Sequence, residues 1–175
     1  IDVGCDGKGF ALDEAKKLLD SEKADCAVVS FGSSTLLYGQ KPDKTDFKVA
    51  VTDPFDNDNT CLSFTSGGGF VSTSGGYERY FEENGVTYHH IIDPKTGYPS
   101  DSDLTSVTIV CADGTKADAL STSFFVMGLQ KAESFYENTD LDFDVILLTK
   151  DNQIYISEGI AQNFTSDYTV NVLKK

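Results

Sequence analysis

The two histidines of the chain, His89 and His90, are neighbours at the start of one motif, His89-His90-Ile91-Ile92-Asp93-Pro94-Lys95-Thr96-Gly97-Tyr98-Pro99. A neutral imidazole, with an ordinary pKa of about 6.5, can take a proton from a hydroxyl group at neutral pH. If the motif begins in a β-strand, the two rings point to opposite faces, so one site meets only one of them and the pair is poorly suited to a shared metal ion. The motif predicts one general base, and a histidine pair without a catalytic role is the alternative.

A second group of chemically capable residues lies in a helix predicted over residues 116–127. Asp118 and Thr122 are four residues apart, which places a carboxylate and a hydroxyl on the same helix face. Such hard oxygen ligands suit Mg²⁺ or Ca²⁺, with a loop, water and substrate phosphates supplying the rest. The alternative is an exposed aspartate beside a threonine whose hydroxyl bonds its own helix.

Two further segments are rich in glycine or hydroxyl groups. The opening Asp2-Val3-Gly4-Cys5-Asp6-Gly7-Lys8-Gly9 places a lysine just before a predicted helix, where backbone amides and an ammonium could hold a phosphate. Neither the Walker spacing nor the dinucleotide fingerprint is present, so a plain turn is the alternative. Ser72-Thr73-Ser74-Gly75-Gly76 follows an apolar strand and either lines a polar ligand or forms a solvated hairpin end.

The elements that must position these residues are mostly strands. Apolar residues at helical spacing predict a helix over 10–21. Two further helical segments are predicted over 116–127 and 130–136, with Gly128 as a natural break between them. β-prone runs bounded by turn residues predict strands over 27–31, 35–38, 47–51, 61–64, 69–73, 88–92, 105–111, 145–149 and 154–157. The first three should be consecutive antiparallel strands. Because strands and helices do not alternate strictly, the sequence predicts an α+β fold, a mainly antiparallel sheet with two or three packed helices.

Composition narrows the range of partners. The chain has 175 residues, a size typical of one domain, and lacks any apolar run of the roughly 18 residues that a membrane helix needs. With 28 acidic against 14 basic residues and a net charge of -14, it would repel nucleic acid, although a small phosphate or a metal ion can still be held locally. The four cysteines are scattered, without zinc or disulfide spacing, and are expected to be buried thiols.

The order of these segments resembles that of the ApbE-like FAD:protein FMN transferases. The resemblance rests on the opening segment through Phe10-Ala11, then Thr73-Ser74-Gly75, then the histidine motif, then Ala117-Asp118-Ala119-Leu120-Ser121-Thr122. The histidine and Asp-Pro motif is the most specific part, and the resemblance extends over nearly the whole chain. It implies a T-fold-like flavin transferase domain, with residues 1–175 as a single domain that forms the C-terminal portion of a longer family member.

The resemblance also implies a reaction and a set of site residues. The reaction is the Mg²⁺-dependent transfer of FMN from FAD to a Ser or Thr hydroxyl of a partner flavoprotein, with release of AMP. Some relatives instead hydrolyse FAD to FMN and AMP, and a non-catalytic flavin-binding module is a further alternative. The implied roles are a catalytic base, His90; metal ligands, Asp118, Thr122 and the main-chain carbonyl of Cys5; and FAD contacts, Asp2, Lys8 and Ile92, with Ser74 and Gly75 beside them. Asp93 is also expected among the FAD-binding residues, and it either orients the imidazole or supports the turn into Pro94.

The partner and the location follow from the same resemblance. Acceptors of the family carry an Asp followed closely by [ST]-G-A-[ST], and this chain contains neither Ser-Gly-Ala nor Thr-Gly-Ala, so its acceptor is expected to be a separate protein. The family implies a location outside the bacterial cytoplasm, periplasmic or lipid-anchored at the cell surface. Two departures are visible: Ser121 stands where some relatives have a second carboxylate, and Asp6 adds negative charge beside the expected phosphates.

Overall fold

The computed structural model describes residues 3–175, apart from the side chain of Asn57, and forms four helices and twelve strands within them. The helices are α1 (Gly7–Ser21), α2 (Gly114–Met127), α3 (Leu129–Asn138) and the short α4 (Glu158–Ala161). The strands are β1 (Cys26–Phe31), β2 (Ser34–Gly39), β3 (Phe47–Asp53), β4 (Asp56–Ser66), β5 (Gly69–Gly75), β6 (Tyr80–Glu83), β7 (Val86–His89), β8 (Leu104–Cys111), β9 (Asp144–Thr149), β10 (Gln153–Ser157), β11 (Phe164–Ser166) and β12 (Thr169–Leu173). None of the helices in the described part is long and apolar enough to cross a bilayer.

A seven-stranded sheet in the order β1-β2-β5-β8-β9-β10-β12 organises the molecule. Its neighbouring strands are antiparallel except for β10 and β12, which are parallel. A three-stranded sheet, β11-β4-β3, and a separate hairpin, β6-β7, complete the strands. The predicted α+β class with a mainly antiparallel sheet is therefore confirmed.

The central sheet is buried on both faces, which explains the uninterrupted apolar run in β9. Leu147 packs into the core on the helix side, with Phe124 of α2, whereas Ile146 and Leu148 pack into a second core with Phe64 of β4. Successive side chains of a strand point to opposite faces, so a strand covered on both sides is apolar at every position. The result is three layers: helices, central sheet and small sheet.

Several predicted element boundaries differ from the structure. The strand over 47–51 does not follow β2 in the same sheet; as β3 it pairs with β4 in the small sheet. The strand predicted over 88–92 ends at His89, and Ile92 forms only an isolated bridge with Pro99. Neither β6, β11, β12 nor α4 was predicted, because short exposed segments such as β6 carry no buried face to create a pattern. The helix break at Gly128 is confirmed, and its φ of 75° suits a residue without a side chain.

Candidate active site

The first turns of α1 and α2 cross in direct backbone contact. A Cβ at Gly9 would lie 2.1 Å from the carbonyl oxygen of Gly114, and one at Gly114 would lie 2.6 Å from the carbonyl oxygen of Gly9. No side chain fits at either position, so two glycines are what allows the helices to approach. This crossing brings the opening segment of the chain against the residues of α2, more than a hundred positions later.

Asp118 of α2 lies at this crossing, in a polar cluster with Lys8, Ser34 and Ser72 that we call the Asp118 corner. The side chain of Asp118 is completely buried, with 0% exposure. Its Oδ2 accepts a hydrogen bond from the backbone N–H of Gly9 at 3.0 Å. Its Oδ1 lies 3.0 Å from Nζ of Lys8, 3.0 Å from Oγ of Ser72 and 3.2 Å from Oγ of Ser34. The ordinary alternative of an exposed helix aspartate is thus wrong: a buried carboxylate is here compensated by one ammonium and surrounded by donors.

The hydroxyl groups around Asp118 form a connected network. Ser34 Oγ and Ser72 Oγ are also 2.7 Å apart, so their two protons serve three contacts and the bonds are shared. One turn further along α2, Ser74 Oγ lies 2.9 Å from Ser121 Oγ and 3.1 Å from Thr122 Oγ1. The Ser72–Gly76 segment is therefore not a solvated hairpin end, since its serines are buried and face the helix.

A residue that the sequence reasoning missed, Asp13, holds the two helices together from the other side. Its carboxylate on α1 accepts hydrogen bonds from the backbone N–H groups of Gly114 and Thr115, at 2.8 and 2.9 Å, and from the Thr115 hydroxyl at 2.6 Å. These amides belong to the first turn of α2 and have no partner within their own helix. Asp113 caps the same helix in the usual way, through the N–H of Lys116 at 2.8 Å.

The two histidines differ sharply in their surroundings. His89 is half-buried, its ring meets that of Phe125 edge-on at 5.6 Å, and its Nε2 lies 3.1 Å from the carbonyl oxygen of Ser100. A carbonyl only accepts, so Nε2 carries the proton, and Nδ1 accepts from the N–H of Ile91 at 3.3 Å. Burial lowers the pKa of His89, and the hydrogen bond to Ser100 acts in the opposite direction. Both ring nitrogens are used, which makes His89 a structural residue.

His90 is exposed and points the other way. Its Nδ1 lies 3.2 Å from the carbonyl oxygen of Arg79, so Nδ1 carries the proton by the same reasoning. The backbone N–H of His90 donates to the same carbonyl at 3.1 Å, which fixes the ring against one residue. No hydrogen bond reaches Nε2 within the described part of the chain, and in this tautomer Nε2 is the basic nitrogen. The expected division of the pair into one base and one bystander therefore has a geometric basis.

Asp93 supports the turn rather than the imidazole. Its Oδ1 accepts from the N–H of Lys95 at 2.9 Å, and its carbonyl accepts from Thr96 and Gly97. The turn returns the chain so that Ile92 bridges Pro99, and it leaves the Ile92 side chain 46% exposed. Of the two roles left open for Asp93, the structure shows the turn.

Glu78 is a second residue that the sequence reasoning missed. Its carboxylate accepts a hydrogen bond from Ser33 Oγ at 3.2 Å, beside Gly32, which borders the Lys8 side chain. Partial burial of the carboxyl group raises the pKa of Glu78, and the Ser33 bond and the nearby charges of His90, Lys8 and Arg79 act in the opposite direction. Glu78 is therefore close enough to both Lys8 and His90 for their charges to affect its carboxyl group.

A groove of about 760 Å³ lies on the His89 side of the hairpin. Aromatic residues form much of its wall: Tyr77, Tyr80, Tyr88, His89, Tyr98 and Phe125. Neither Lys8, His90 nor Asp118 lines it. The groove is thus separate from the Asp118 corner.

The donor set at Asp118 suits a hard divalent cation. The Asp118 carboxylate and the Thr122 hydroxyl are hard oxygen groups of the kind that Mg²⁺ and Ca²⁺ prefer. Among the described residues, no group of three or more His, Cys, Asp or Glu side chains is arranged to hold a metal ion, so further ligands would have to be carbonyl, hydroxyl, water or phosphate oxygens. Cys5 lies in an exposed turn four residues before Gly9, and no hydrogen bond links it to Asp118. Its carbonyl stays a predicted ligand, and Asp2 lies outside the described residues.

The sequence profile of the ApbE family matches residues 1–147. The chain belongs to the ApbE family. A similar curated protein is the FAD:protein FMN transferase of Klebsiella pneumoniae (strain 342), which is 32% identical over 158 residues; the match covers 90% of this chain and 48% of that protein. Another is the FAD:protein FMN transferase of Treponema pallidum (strain Nichols), which is 34% identical over 169 residues; the match covers 91% of this chain and 46% of that protein. The chain spans about half the length of the curated relatives it matches.

Solved structures agree with this assignment. The ApbE protein of Thermotoga maritima superposes with a TM-score of 0.82 at 38% identity, covering 91% of this chain and 52% of that one. The flavin transferase ApbE of Vibrio cholerae superposes with a TM-score of 0.75 at 27% identity, covering 89% and 50%. The predicted family and fold are confirmed.

Ser121 is one of the departures from the ApbE pattern. Ser121 is fully buried, and its Oγ both donates to the carbonyl oxygen of Asp118 at 2.9 Å and bonds Ser74. It therefore completes the local network with a neutral side chain.

Among the cysteines, only Cys61 is buried, and burial raises its pKa to about 11. Cys5 is exposed, and Cys26 and Cys111 are partly buried. The expectation of four buried thiols is wrong for three of them.

Proposed function

We propose that this chain carries the catalytic residues of an FAD:protein FMN transferase, which moves FMN from FAD to a Ser or Thr hydroxyl of a partner flavoprotein and releases AMP. The observation that carries the proposal is the buried Asp118 carboxylate with Lys8 at 3.0 Å, placed where the N-termini of two helices meet. Breaking a pyrophosphate requires charge neutralisation and positioning more than covalent chemistry, and this corner concentrates groups for both.

Asp118, Thr122 and the carbonyl of Cys5 are the residues that would hold Mg²⁺, or Ca²⁺ in its place. A bound divalent cation would neutralise charge on the pyrophosphate oxygens and make the phosphorus more open to attack. Lys8, with its side chain 36% exposed, can turn from Asp118 to contact the phosphates of FAD. Asp2, Ser74, Gly75, Ile92 and Asp93 are proposed to border FAD, either by direct contact or by shaping the adjoining turn.

His90 is the proposed general base. Its unprotonated Nε2 would take the proton of the acceptor hydroxyl as that oxygen forms a bond to the phosphorus of the FMN half. The bond between this phosphorus and the bridging oxygen then breaks, and the electron pair leaves with AMP. The exposed position of His90, directly after the β6-β7 hairpin, suits a reaction whose second substrate is a protein.

The acceptor is proposed to be a separate flavoprotein with an [ST]-G-A-[ST] segment, located outside the bacterial cytoplasm. Residues 1–175 are proposed to act as one domain of the ApbE type.

The test supplies the chain with FAD, Mg²⁺ and an acceptor protein that carries the [ST]-G-A-[ST] segment. AMP is measured by chromatography, covalent FMN by flavin fluorescence of the denatured acceptor, and the Vibrio cholerae ApbE serves as the positive control. Transfer predicts equal amounts of AMP and covalent FMN, both lost with chelator. AMP and free FMN without an acceptor would indicate FAD hydrolysis, and no AMP under conditions where the control is active would contradict the proposal.

Two substitutions connect that reaction to the site. His90→Gln should lower the rate at least about 100-fold, because a positioned base typically contributes that much. Asp118→Asn should remove the metal dependence together with the activity. His89→Gln is the matched control: per folded molecule it should retain activity, because both nitrogens of His89 serve the structure.

A further inference from the structure

Oδ1 of Asp118 already has three polar neighbours. Three donors surround it: Nζ of Lys8, Oγ of Ser72 and Oγ of Ser34, all within 3.2 Å. A divalent cation binds a carboxylate oxygen at about 2.0 to 2.6 Å, so it can reach Oδ1 only by displacing one of them. Oδ2 accepts a hydrogen bond from the N–H of Gly9, at the point where the backbones of α1 and α2 are in direct contact.

Lys8 is the donor that must leave. Ser34 and Ser72 are each 1% exposed and bonded to each other, whereas the Lys8 side chain is 36% exposed and long. An ammonium and a divalent cation on the same carboxylate oxygen would also repel each other, while a serine hydroxyl can turn its lone pair towards the cation. Sterics and charge thus select the same group.

We propose that Lys8 is a built-in competitor for the cation site, and that it couples the binding of the cation to the binding of the pyrophosphate. This inference rests on the proposed function of the site. In the free protein the ammonium of Lys8 neutralises Asp118. When the cation takes that place, the ammonium is released at the mouth of the site, where a pyrophosphate offers it a new partner.

The charges show why this coupling favours the complete complex. With Lys8 on Asp118 the pair is neutral, so it attracts neither a free cation nor a free anion strongly. With the cation on Asp118 and Lys8 released, the cation, the carboxylate and the ammonium together carry a surplus positive charge that a pyrophosphate neutralises. Coupling of this kind is reciprocal: the anion must improve the affinity for the cation by the same factor as the cation improves that for the anion.

The first experiment measures cation affinity without any nucleotide. Mn²⁺ is titrated into the wild-type protein and into Lys8→Met, with free Mn²⁺ followed by electron paramagnetic resonance. Lys8→Met should bind Mn²⁺ at least about tenfold more tightly, because the competitor is gone. Lys16→Met is the matched control: it removes one positive charge from the same helix, from an exposed pair with Asp20, and should leave the affinity unchanged. Equal or weaker binding by Lys8→Met would overturn the proposal.

Because Lys8→Met leaves a buried carboxylate without its ammonium and could fail to fold, a second experiment uses the wild-type protein. Lysine amines are labelled by brief reductive methylation, and the extent at each lysine is measured by mass spectrometry. Mg²⁺ should increase the labelling of Lys8 several-fold but not that of Lys16, and pyrophosphate added with Mg²⁺ should reverse the increase. Unchanged labelling of Lys8 at Mg²⁺ concentrations that saturate the protein would refute the competition.

The same measurements separate this proposal from the proposed function. If Asp118→Asn abolishes metal-dependent AMP release but Lys8→Met does not tighten Mn²⁺ binding, the enzyme assignment stands and the competition fails. If neither the wild type nor Lys8→Met binds Mn²⁺, Asp118 is not a cation ligand, and both proposals lose their basis.

Discussion

The Asp118 corner and the β6-β7 hairpin would contribute to the proposed site in different ways. The corner is assembled from α1, β2, β5 and α2, and Asp118, Ser34 and Ser72 are almost fully buried. The hairpin pairs only with itself, and its eight strand residues are exposed or half-exposed up to His89, next to the candidate base. The geometry of the corner is set by core packing, whereas that of His90 depends on one carbonyl oxygen of Arg79.

This difference shows where precision is needed. Groups that handle charge on a small ligand gain from low mobility and from exclusion of water, both of which a packed corner supplies. A base that meets a hydroxyl on another protein needs access, which an exposed hairpin supplies. Substitutions in the corner should therefore act on stability and on the site together, whereas those at His90 should act on the reaction alone.

The strongest way to break the corner is Gly9→Ala. The added Cβ would lie 2.1 Å from the Gly114 carbonyl oxygen and 2.8 Å from the Cβ of Asp118, so α1 and α2 must separate. We expect a loss of more than about 3 kcal/mol in the free energy of unfolding, measured by urea denaturation. Gly7→Ala is the control: it lies in the same helix with nothing within 4 Å of the added Cβ, and should be neutral or slightly stabilising. Equal effects of the two substitutions would show that the close crossing is not required.

Asp13→Ala tests whether α1 holds the start of α2. The substitution removes three hydrogen bonds, two of them to backbone amides that have no other partner, and should cost about 2 kcal/mol of unfolding free energy. Glu14→Ala removes only an exposed pair with Lys17 and should cost less than about 0.5 kcal/mol. If both changes cost the same small amount, the helix start is held by packing and Asp113 alone.

Sequence patterns predicted the helices and most of the strands better than the way the strands are joined into sheets. The apolar run of β9 follows from burial on both faces, so that strand was visible without a structure. The first helix was predicted too, although its fully buried leucine is Leu12, whereas Leu18 is 62% exposed. The assignment of β3 to the second sheet was not, because Phe47 and Val51 point into a core in either arrangement. Local patterns indicate that a strand is buried, but they do not indicate which neighbouring strand it pairs with.

The candidate site shows the same limit at the level of single residues. Lys8, His90, Asp118 and Thr122 were predicted as site residues because motif spacing and the family resemblance marked them. The contacts of Ser34 and Asp13 were missed, since each acts on a residue more than eighty positions away in the chain. In the sequence, Ser34 is only a serine after a turn, and Asp13 is only an acidic residue in an amphipathic helix. Their roles exist only once the two glycines bring the helices into contact.

The smallest expected effect concerns His89, whose contribution to stability should depend on pH. His89→Gln loses the edge contact with Phe125 and should cost about 1 kcal/mol at pH 7. Burial lowers the pKa of His89 in the folded protein, so below its ordinary value of 6.5 the unfolded chain binds a proton that the folded chain does not. The contribution of His89 to stability is therefore present at pH 7 and declines as the pH falls towards 5.

Urea denaturation at pH 7, 6 and 5 measures this directly. The difference in unfolding free energy between the wild type and His89→Gln should shrink as the pH falls, and a difference that stays constant or grows would show that burial of His89 has no energetic role. His90→Gln, which loses an exposed ring with one bond to Arg79, should change the unfolding free energy at pH 7 by less than about 0.5 kcal/mol. A larger loss would mean that the hairpin depends on His90 for its own structure, and the division between a rigid corner and an accessible base would no longer hold.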